Sequence, residues 1–507
     1  MISESVILSF FIRLYHIAMD AKIVRAFSAA LDFIGRSFGG SIFGKIFCRE
    51  ESTDSYREGS FFYGVFDRIW QSVLRFFGRI YDFVRRVNTE SVNRKIFDSA
   101  VMGSYTFHME TLLAIVVCII FLIPHDYWNN LYASILVLAL FGIYFLCLLG
   151  GKKELGKSAK GVWLPFLFFA FITLFSVIGS LNVGDSIRVA VFFVTAFLLC
   201  LLVQGTCKKE ENLSKLLSFM AVAVFVTAAY GIVQRILGVE ADASLTDLDL
   251  NANMPGRVFS TLGNPNNFAE FLMLFTPFTF AFVLTEKNAL KKGFGLVATA
   301  MAVLALLLTY SRSGWLAFLV AVLVFIALYN KKLLPLVFLL GLMCIPLLPE
   351  SILNRILTIG NLEDSSSSYR VDIWTGSIAM LRDGYWLYGT GLGAGAFTTV
   401  YPSYAVGTSR VAPHTHMQFM EMLAEMGILG LLAILWFSVS LVRRTAVWAG
   451  KTEGSLRAIL CASAASMAGI TAIGFVEYTW FYPRVMLAFF VCAGIAMACV
   501  KLAKEQQ

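Results

Sequence analysis

Long apolar segments recur along the sequence from residue 108 onward, and they constrain the fold more than any other feature. Each is roughly 17–25 residues long, enough for a helix to cross about 30 Å of hydrocarbon. Twelve are predicted, at 108–124, 131–150, 162–179, 187–205, 216–237, 267–284, 293–310, 314–330, 333–349, 416–442, 457–476 and 480–500. Because 58% of the residues are hydrophobic and 15% are charged, a water-soluble fold is excluded. The predicted fold class is all-α, a polytopic integral membrane protein of about twelve transmembrane helices.

Lysine is distributed unevenly among the connections between the predicted spans. Every second connection carries Lys, and the others contain no Lys, so that all their basic residues are Arg. Because positively charged short loops stay in the cytoplasm, the Lys-bearing connections are predicted to be cytoplasmic. An even number of spans then places both termini there, in a multi-pass protein of the cytoplasmic membrane. The net charge of +8 is too small to indicate nucleic acid as the main partner.

This pattern divides the chain into four regions. Residues 1–107 are predicted to form an N-terminal cytoplasmic or interfacial region of amphipathic helix, and 108–349 to hold the first nine spans. A long external loop is predicted at 350–415, between the ninth and tenth spans. Residues 416–507 are predicted to hold the last three spans and a short cytoplasmic tail.

Within the first region, apolar residues recur at helical spacing with arginines between them. The apolar positions are Phe62, Phe66, Ile69, Trp70, Val73, Phe76, Phe77, Ile80, Phe83 and Val84, and the arginines are Arg68, Arg75, Arg79, Arg85 and Arg86. Such a helix fits the membrane surface, where rings enter the headgroup zone and guanidinium groups meet lipid phosphates. It also fits a small cytoplasmic helical bundle, because amphipathic periodicity is common to both. The sequence leaves both interpretations open.

Polar residues gather at the predicted external ends of the spans and are scarce at midspan. A secondary transporter would instead place ionisable groups near the bilayer midplane and show two related halves. Three of the external clusters contain arginine: Arg257 ahead of Asn264-Pro265-Asn266-Asn267, Arg312 in a minimal turn between two spans, and Arg370 with Asp372 and Trp374 in the long loop. Each cluster also has a purely structural explanation: a helix cap for the first, an Arg that reaches lipid headgroups for the second, and a surface ion pair for the third. Guanidinium groups also bind phosphate oxygens in bidentate geometry, which favours an anion site at this face.

A fourth cluster contains two of the five histidines of the chain, His414 and His416, at the start of the tenth span. An imidazole with a pKa of about 6.5 can take a proton from a hydroxyl at neutral pH, so this is the best general-base candidate. His-x-His could also bind a metal, but no third ligand is evident, and neither a metal nor a cofactor is predicted. A diphosphate leaving group held by Arg needs no metal to neutralise its charge.

Four glycines alternate between Gly389 and Gly395 in the predicted external loop. They resemble a nucleotide-binding loop only superficially, since no βαβ unit surrounds them. The series is predicted to be either a flexible loop or a place where backbones pack closely.

In combination, these motifs resemble the O-antigen ligase and O-antigen polymerase superfamily of bacterial envelope glycosyltransferases. The resemblance is carried by Arg257 through Asn-Pro-Asn-Asn, by Ser311-Arg312-Ser-Gly-Trp, by Arg370-Val-Asp-Ile-Trp374 with the glycines after it, and by His416-Met-Gln-Phe-Met-Glu-Met-Leu-Ala-Glu-Met-Gly427. It covers roughly residues 108–500, and the first 107 residues lie outside it.

The resemblance implies that the donor is an undecaprenyl-diphosphate-linked glycan and that the acceptor is a glycan or a lipid. It also implies membrane lipids and other proteins of envelope polysaccharide assembly as partners. It implies that Arg312 and Arg370, helped by Arg257, bind the diphosphate and that His416 is the catalytic base. In the family an Asn or Ser and an aromatic residue usually follow the histidine, whereas Met417 and Gln418 follow His416. His414 therefore competes for the role.

The expected activity is that of a metal-independent, inverting glycosyltransferase in cell-surface polysaccharide biosynthesis, at the outer face of the inner membrane. Polymerase and ligase are not distinguished, because both use the same donor chemistry and differ in the acceptor. A lipid-linked oligosaccharide flippase or another membrane transporter is the alternative function. A third hypothesis is a scaffold that recruits envelope-synthesis enzymes through its N-terminal region.

Overall fold

The structure is a computed structural model, which describes residues 59–95, 98–99, 109–150, 163–239, 256–360 and 365–507, together with residues 29 and 33. These residues form helices, turns and short irregular connections, without a β-strand among them. The all-α fold class is confirmed for this part of the chain. The remainder of the predicted N-terminal region lies outside the described residues.

The helices are numbered here in chain order. They are α1 (Phe61–Val87), α2 (Met109–Leu122), α3 (Asn130–Gly150), α4 (Leu164–Phe175), α5 (Val183–Thr206), α6 (Glu210–Leu237), α7 (Pro265–Thr285), α8 (Ala289–Leu308), α9 (Arg312–Asn330), α10 (Leu334–Cys344), α11 (Glu350–Leu357), α12 (Ser365–Met380), α13 (Ala394–Val400), α14 (Gln418–Ala449), α15 (Gly454–Ile473) and α16 (Pro483–Glu505). Among the described residues, nine helical runs are long and apolar enough to cross a membrane, with α9 and α10 counted as one run. The protein is therefore an integral membrane protein.

The number of candidate spans is smaller than the twelve predicted from the sequence. Predicted spans 108–124 and 162–179 coincide with α2 and α4, which contain 14 and 12 residues. Helices of these lengths reach only about 21 and 18 Å, so they fall short of the hydrocarbon thickness. Predicted spans 314–330 and 333–349 coincide with α9 and α10, which are separated only by a 3₁₀ turn at Lys331–Leu333.

The chain nevertheless reverses direction after α9. The hydroxyl groups of Tyr310 and Ser351 lie 3.1 Å apart, and Nε of Arg355 donates to the Tyr310 carbonyl at 3.3 Å. These contacts place α11 beside the start of α9, although α9 carries the chain roughly 28 Å away from that point. The reversal falls after Asn330, where the Lys331 and Lys332 connection was predicted.

The centre of the bundle is formed by α16, α7 and α15. In the most apolar 18-residue stretch of each of these helices, 94%, 83% and 78% of the residues are buried, against 28% in α8. A small residue brings α15 close to α7 and α9: a Cβ added to Gly469 of α15 would lie 2.6 Å from Sδ of Met273 in α7 and 2.9 Å from the Ala317 carbonyl oxygen in α9. The Ser466 hydroxyl also donates to the Leu274 carbonyl at 2.6 Å. This packing fixes the helix ends that carry the candidate site.

Residues 350–415, predicted as a long external loop, are folded where the structure describes them, and we call them the cap. The cap contains α11, α12, α13 and several 3₁₀ turns. It has a core of its own, made by Ile373, Met380, Leu381, Phe397, Tyr401 and Ala412 together with Ala424 of α14. The serine run 365–368, which falls within the predicted loop, forms the first turn of α12. Serine suits a helix start as well as a loop, so composition alone does not distinguish the two.

The amphipathic segment of the N-terminal region forms one helix, α1, that packs on the bundle. Phe62 meets Phe168 of α4 at 5.1 Å between ring centroids, and Trp70 meets Phe145 of α3 at 6.1 Å. Other apolar side chains of α1, including Phe76 and Phe83, stay exposed. The described residues thus favour the membrane-surface interpretation over a separate cytoplasmic bundle.

The loops with the predicted site residues meet at one end of the bundle, which we call the site end. Arg484 at the start of α16 donates to the carbonyls of Ile123 and Thr261, and the Gln418 amide at the start of α14 donates to the Gly474 carbonyl. The Lys-bearing connections among the described residues lie at the opposite end, where Lys215 pairs with Glu110. The alternation of Lys-rich and Lys-free connections therefore corresponds to the two ends of the described bundle.

Candidate active site

Arg312 occupies the first position of α9, directly after a tight turn. Ser311 caps the helix by accepting the Gly314 amide, and Tyr310 before it has a positive φ of 52°, a conformation rare for a non-glycine residue. The turn directs the Arg312 guanidinium toward the cap. Its Nη1 donates to the Thr358 carbonyl at 2.9 Å, and its Nη2 donates to the Ser366 hydroxyl at 3.2 Å.

Arg370 on α12 reaches the same serine. Its Nη1 donates to the Ser366 hydroxyl at 3.4 Å, so the guanidinium groups of Arg312 and Arg370 lie on either side of one oxygen. Its Nη2 forms an ion pair with Glu477, not with Asp372 as a local surface pair would require. Its Nε is buried and donates to no group among the described residues. This guanidinium retains a donor for a further acceptor.

Arg257 lies below these two side chains and is buried. Its Nε donates to the Thr309 carbonyl at 2.9 Å, and its Nη2 donates to Oδ1 of Asn266 at 2.6 Å. Asn264 is the helix cap predicted for this segment, since its side chain accepts the amides of Asn266 and Asn267. Burial, followed by repulsion from Arg355, lowers the pKa of Arg257 to about 9, so the group stays charged at neutral pH.

Two functional-site residues were not singled out from the sequence, Arg355 and Glu477. Arg355 is a buried residue of α11, within the segment predicted to be a loop, and it joins the other three arginines electrostatically. Glu477 lies in the turn between α15 and α16, where it pairs with Arg370 and accepts the Ser313 hydroxyl at 3.3 Å. An acidic residue alone in a short turn between two apolar spans was the available signal.

Glu477 is the carboxylate that the described residues place among these arginines. Burial alone would raise the pKa of Glu477, but the Arg370 ion pair and the neighbouring His416 lower it to about 2. Arg257 lies close enough to Glu477, Arg312, Arg355 and Arg370 to interact with each of them electrostatically. Four guanidinium groups gathered at the site end suit an anion with several oxygens, such as a diphosphate.

The two histidines form a contact pair with different surroundings. His416 has a positive φ of 52°, and its amide donates to Nδ1 of His414 at 3.1 Å. The His414 ring packs on Phe481 and Tyr478, with centroid distances of 4.3 and 5.4 Å. Burial, and then His416, holds the pKa of His414 well below its ordinary range. His414 is therefore a neutral ring whose Nδ1 is already engaged.

His416 is the more accessible member of the pair. Its side chain is 25% exposed, and its Nδ1 lies 3.8 Å from Oε2 of Glu477. The same carboxylate binds Arg370 through Oε1, so Glu477 connects the imidazole to the arginine cluster. A positive φ on a non-glycine residue costs on the order of 1–3 kcal/mol and is concentrated at functional sites.

Glu421 and Glu425 of α14 hold the two loops around the histidines. Oε2 of Glu421 accepts the Thr415 amide at 2.6 Å, and Oε1 of Glu425 accepts the Gly393 amide at 2.9 Å. The glycine series packs directly on this helix: Gly389 has a φ of 76°, and a Cβ there would lie 2.3 Å from the Glu425 carbonyl oxygen. Close backbone packing, one of the two interpretations of the glycines, is confirmed.

The site thus combines a multidentate cationic surface with an accessible imidazole. Within the described ranges, no group of three or more His, Cys, Asp or Glu side chains is arranged to hold a metal ion. Metal independence remains a prediction. The arrangement can bind an oxyanion leaving group on the arginines and take a proton from a hydroxyl at His416.

Comparison with known families finds a match over part of the chain. Residues 297–435 match the Wzy_C family, described as O-antigen ligase. The match contains Arg312, Arg370, His414 and His416, whereas Arg257 and Glu477 lie outside it. No curated protein matches the chain. The resemblance to this family is confirmed for residues 297–435, which match its O-antigen ligase model within a chain that has several candidate membrane spans.

Proposed function

We propose that the protein transfers a glycan from an undecaprenyl-diphosphate carrier to an acceptor hydroxyl at the outer face of the inner membrane, in cell-surface polysaccharide biosynthesis. The observation that carries the proposal is the meeting of Arg312 and Arg370 at Ser366, with Glu477 linking Arg370 to His416. The family match over the same residues supports it.

The arginines bind the diphosphate in this mechanism. Arg312 and Arg370 approach from α9 and α12, and the free Nε of Arg370 offers a donor to a phosphate oxygen. Arg257 is held by Thr309 and Asn266, so it acts through its charge and by supporting the turn before Arg312. Donors positioned in advance stabilise the charge that develops on the leaving group.

His416 activates the acceptor. It takes the proton of the acceptor hydroxyl, whose oxygen attacks the anomeric carbon of the donor sugar. The bond from that carbon to the diphosphate oxygen breaks, and its electron pair leaves with the carrier diphosphate. Glu477 near Nδ1 orients the ring and stabilises the imidazolium, as a carboxylate does beside other catalytic histidines. Attack opposite the leaving group inverts the anomeric centre.

We also propose that the site end faces outward and that both termini are cytoplasmic. The Lys-free connections at the site end support this orientation. Twelve crossings require that α2 and α4 each cross with the help of flanking residues and that α9 and α10 cross separately. The reversal after Asn330 supports the last of these requirements.

The test is transfer by the purified protein in vesicles that contain a defined polyprenyl-diphosphate glycan. Product sizes separate the two outcomes left open by the sequence: a ladder indicates polymerisation, and a single addition to a different acceptor indicates ligation. Arg312→Ala and Arg370→Ala should each lower transfer by at least about 100-fold, the range for loss of one oxyanion donor.

Arg410→Ala is the matched control, because Arg410 is an exposed arginine of the same cap. Full transfer by the Arg312 and Arg370 variants would refute the proposal. Movement of the lipid-linked glycan across the bilayer without any transfer would support a flippase instead.

A further inference from the structure

A cavity of about 390 Å³ opens at the site end on the opposite side of the histidines from the arginine cluster. It lies between the starts of α3, α5 and α16, the glycine series and the turn after α15. Its volume falls within the range of roughly 300–1,000 Å³ that is usual for small-molecule sites. The groups that give it chemical character are Asn130, Asp185, Arg188, Glu425, Tyr478 and Trp480.

The turn 477–482 separates this cavity from the arginines. Glu477 points from the turn toward Arg370, whereas Tyr478, Trp480 and Phe481 line the cavity. Phe481 also packs on His414, whose ring lies 4.2 Å from that of His416. A ligand in the cavity would therefore be separated from the proposed base by one layer of rings.

The polar groups of the cavity are mixed in charge. Asp185 uses Oδ2 to accept the Gly395 amide at 2.8 Å, and Arg188 forms no ion pair within the described part of the chain. Glu425 is fully buried, its Oε1 accepts the Gly393 amide, and its carboxyl group lies against that of Glu421. One arginine beside two carboxyl groups does not suit a diphosphate.

This combination matches the chemistry of a saccharide. Aromatic rings cover the apolar faces of pyranose rings, while carboxyl, amide and guanidinium groups hydrogen-bond to sugar hydroxyls.

We infer that this cavity binds sugar units of the acceptor glycan that lie beyond the unit whose hydroxyl is deprotonated at His416, because the layer of rings keeps a ligand in the cavity out of reach of that base. The inference rests on the proposed glycosyltransferase function and adds the location of the second substrate. The arginine cluster and the cavity then hold the donor diphosphate and the acceptor sugar on two sides of the histidines.

The experiment uses two variants of the full chain. Arg188→Ala removes an exposed side chain that lines the cavity, and Ala394→Trp fills the cavity from the start of α13. The binding probe is the water-soluble oligosaccharide cleaved from the acceptor used in the vesicle assay, and both a repeat-unit glycan and a lipid-anchored core are tested. Binding is measured by calorimetry on detergent-purified protein, and transfer kinetics are measured in vesicles.

Arg188→Ala should raise the acceptor KM and the probe Kd by about 10- to 100-fold, as expected for one lost charge-assisted hydrogen bond, with an unchanged donor KM. Ala394→Trp should abolish saturable probe binding. Arg312→Ala should lose transfer and bind the probe as wild type does. Arg382→Ala, on an exposed residue of the cap, is the control for loss of an arginine.

Wild-type transfer with unchanged acceptor KM and probe Kd in Arg188→Ala would overturn the cavity assignment and leave the proposed function intact. Absence of transfer by wild type would contradict the proposed function, and the probe measurements would still decide whether the cavity binds a saccharide. Each variant must have the same thermal unfolding midpoint as wild type. If Ala394→Trp is unstable, the measurements on Arg188→Ala alone decide whether the cavity assignment is correct.

Discussion

At the scale of single residues, His414 and His416 are distinguished by their contacts. His414 is buried with its Nδ1 engaged by the His416 amide, whereas His416 is partly exposed beside Glu477. We therefore expect the first to act as a positioning residue and the second as the proton acceptor.

Asparagine substitutions separate these roles. Asn tolerates the positive φ of residue 416 better than Ala, so His416→Asn removes the imidazole with little backbone strain. We expect His416→Asn to lower kcat by about 100-fold or more, the scale of general-base catalysis. His414→Asn offers a side-chain oxygen in place of Nδ1 and should keep at least about a tenth of wild-type kcat. Transfer assays with equal amounts of folded protein measure both, and the reverse order of the two activities would assign the base to His414.

The Glu477–Arg370 pair supports a second prediction at this scale. Removing one partner of a buried pair leaves an uncompensated charge and costs roughly 3–5 kcal/mol, so Glu477→Gln should lower the unfolding temperature clearly. The double variant Glu477→Gln with Arg370→Gln should recover most of that stability but no transfer. Thermal unfolding in detergent, together with the vesicle assay, tests this. Equal stability of the single variant and the wild type would contradict the pairing.

The pH dependence of stability follows from the same pair. The folded-state pKa of Glu477, about 2, lies below its ordinary value of 4.5. Its contribution is therefore complete above about pH 4.5 and decreases as the pH falls from 4.5 toward 2. Glu477→Gln should differ most from wild type above pH 4.5, and the difference should shrink on acidification.

The sequence predicted five of the seven side chains at this site and missed Arg355 and Glu477. Arg257, Arg312, Arg370, His414 and His416 were found because cationic and imidazole groups are conspicuous beside apolar spans. The role of Glu477 depends on α12 approaching the turn after α15, a contact between residues 107 positions apart. No local pattern encodes that approach.

At the scale of elements, α1 shows what an amphipathic pattern leaves undecided. Its side chains divide into three adjacent stripes along the helix, since 100° separates successive residues. One stripe, with Trp70 and Phe77, packs on α3. The next, with Phe76 and Phe83, is apolar and exposed, and the third carries the arginines. The sequence predicted the helix and its amphipathic character, but only the packing on α3 and α4 favours the membrane surface.

A depth measurement tests this placement of α1. Single cysteines replace Phe83 and Arg79, both exposed, and each receives a nitroxide label in protein reconstituted with anionic lipid. The label at 83 should be more accessible to oxygen than to a water-soluble nickel complex, because its stripe enters the acyl region. The label at 79 should show the opposite preference. Equal exposure of both labels to the nickel complex would instead place the helix in water.

At the scale of the whole molecule, the distribution of Lys and Arg along the sequence agrees with the two ends of the helical bundle. The ends of the bundle differ in composition, with arginines without lysine at the site end and lysines at the other. This alternation could be predicted from the sequence because the Lys content of each connection is read directly from its own residues and does not depend on how the helices pack. The number of spans was less predictable, since α2 and α4 are short and α10 follows α9 after a single turn.

The orientation of the whole bundle is tested by labelling from one side. The background lacks Cys48 and the exposed Cys344. In one variant a cysteine replaces Arg410 in the cap, and in the other a cysteine replaces Lys287 between α7 and α8. Both residues are exposed, and they lie at opposite ends of the bundle. The proposed outward-facing site predicts that a membrane-impermeant maleimide labels position 410 in intact spheroplasts. Position 287 should react only after the membrane is permeabilised, because Lys-bearing connections are retained in the cytoplasm. The reverse pattern would put the arginine cluster and His416 in the cytoplasm and rule out transfer at the outer face.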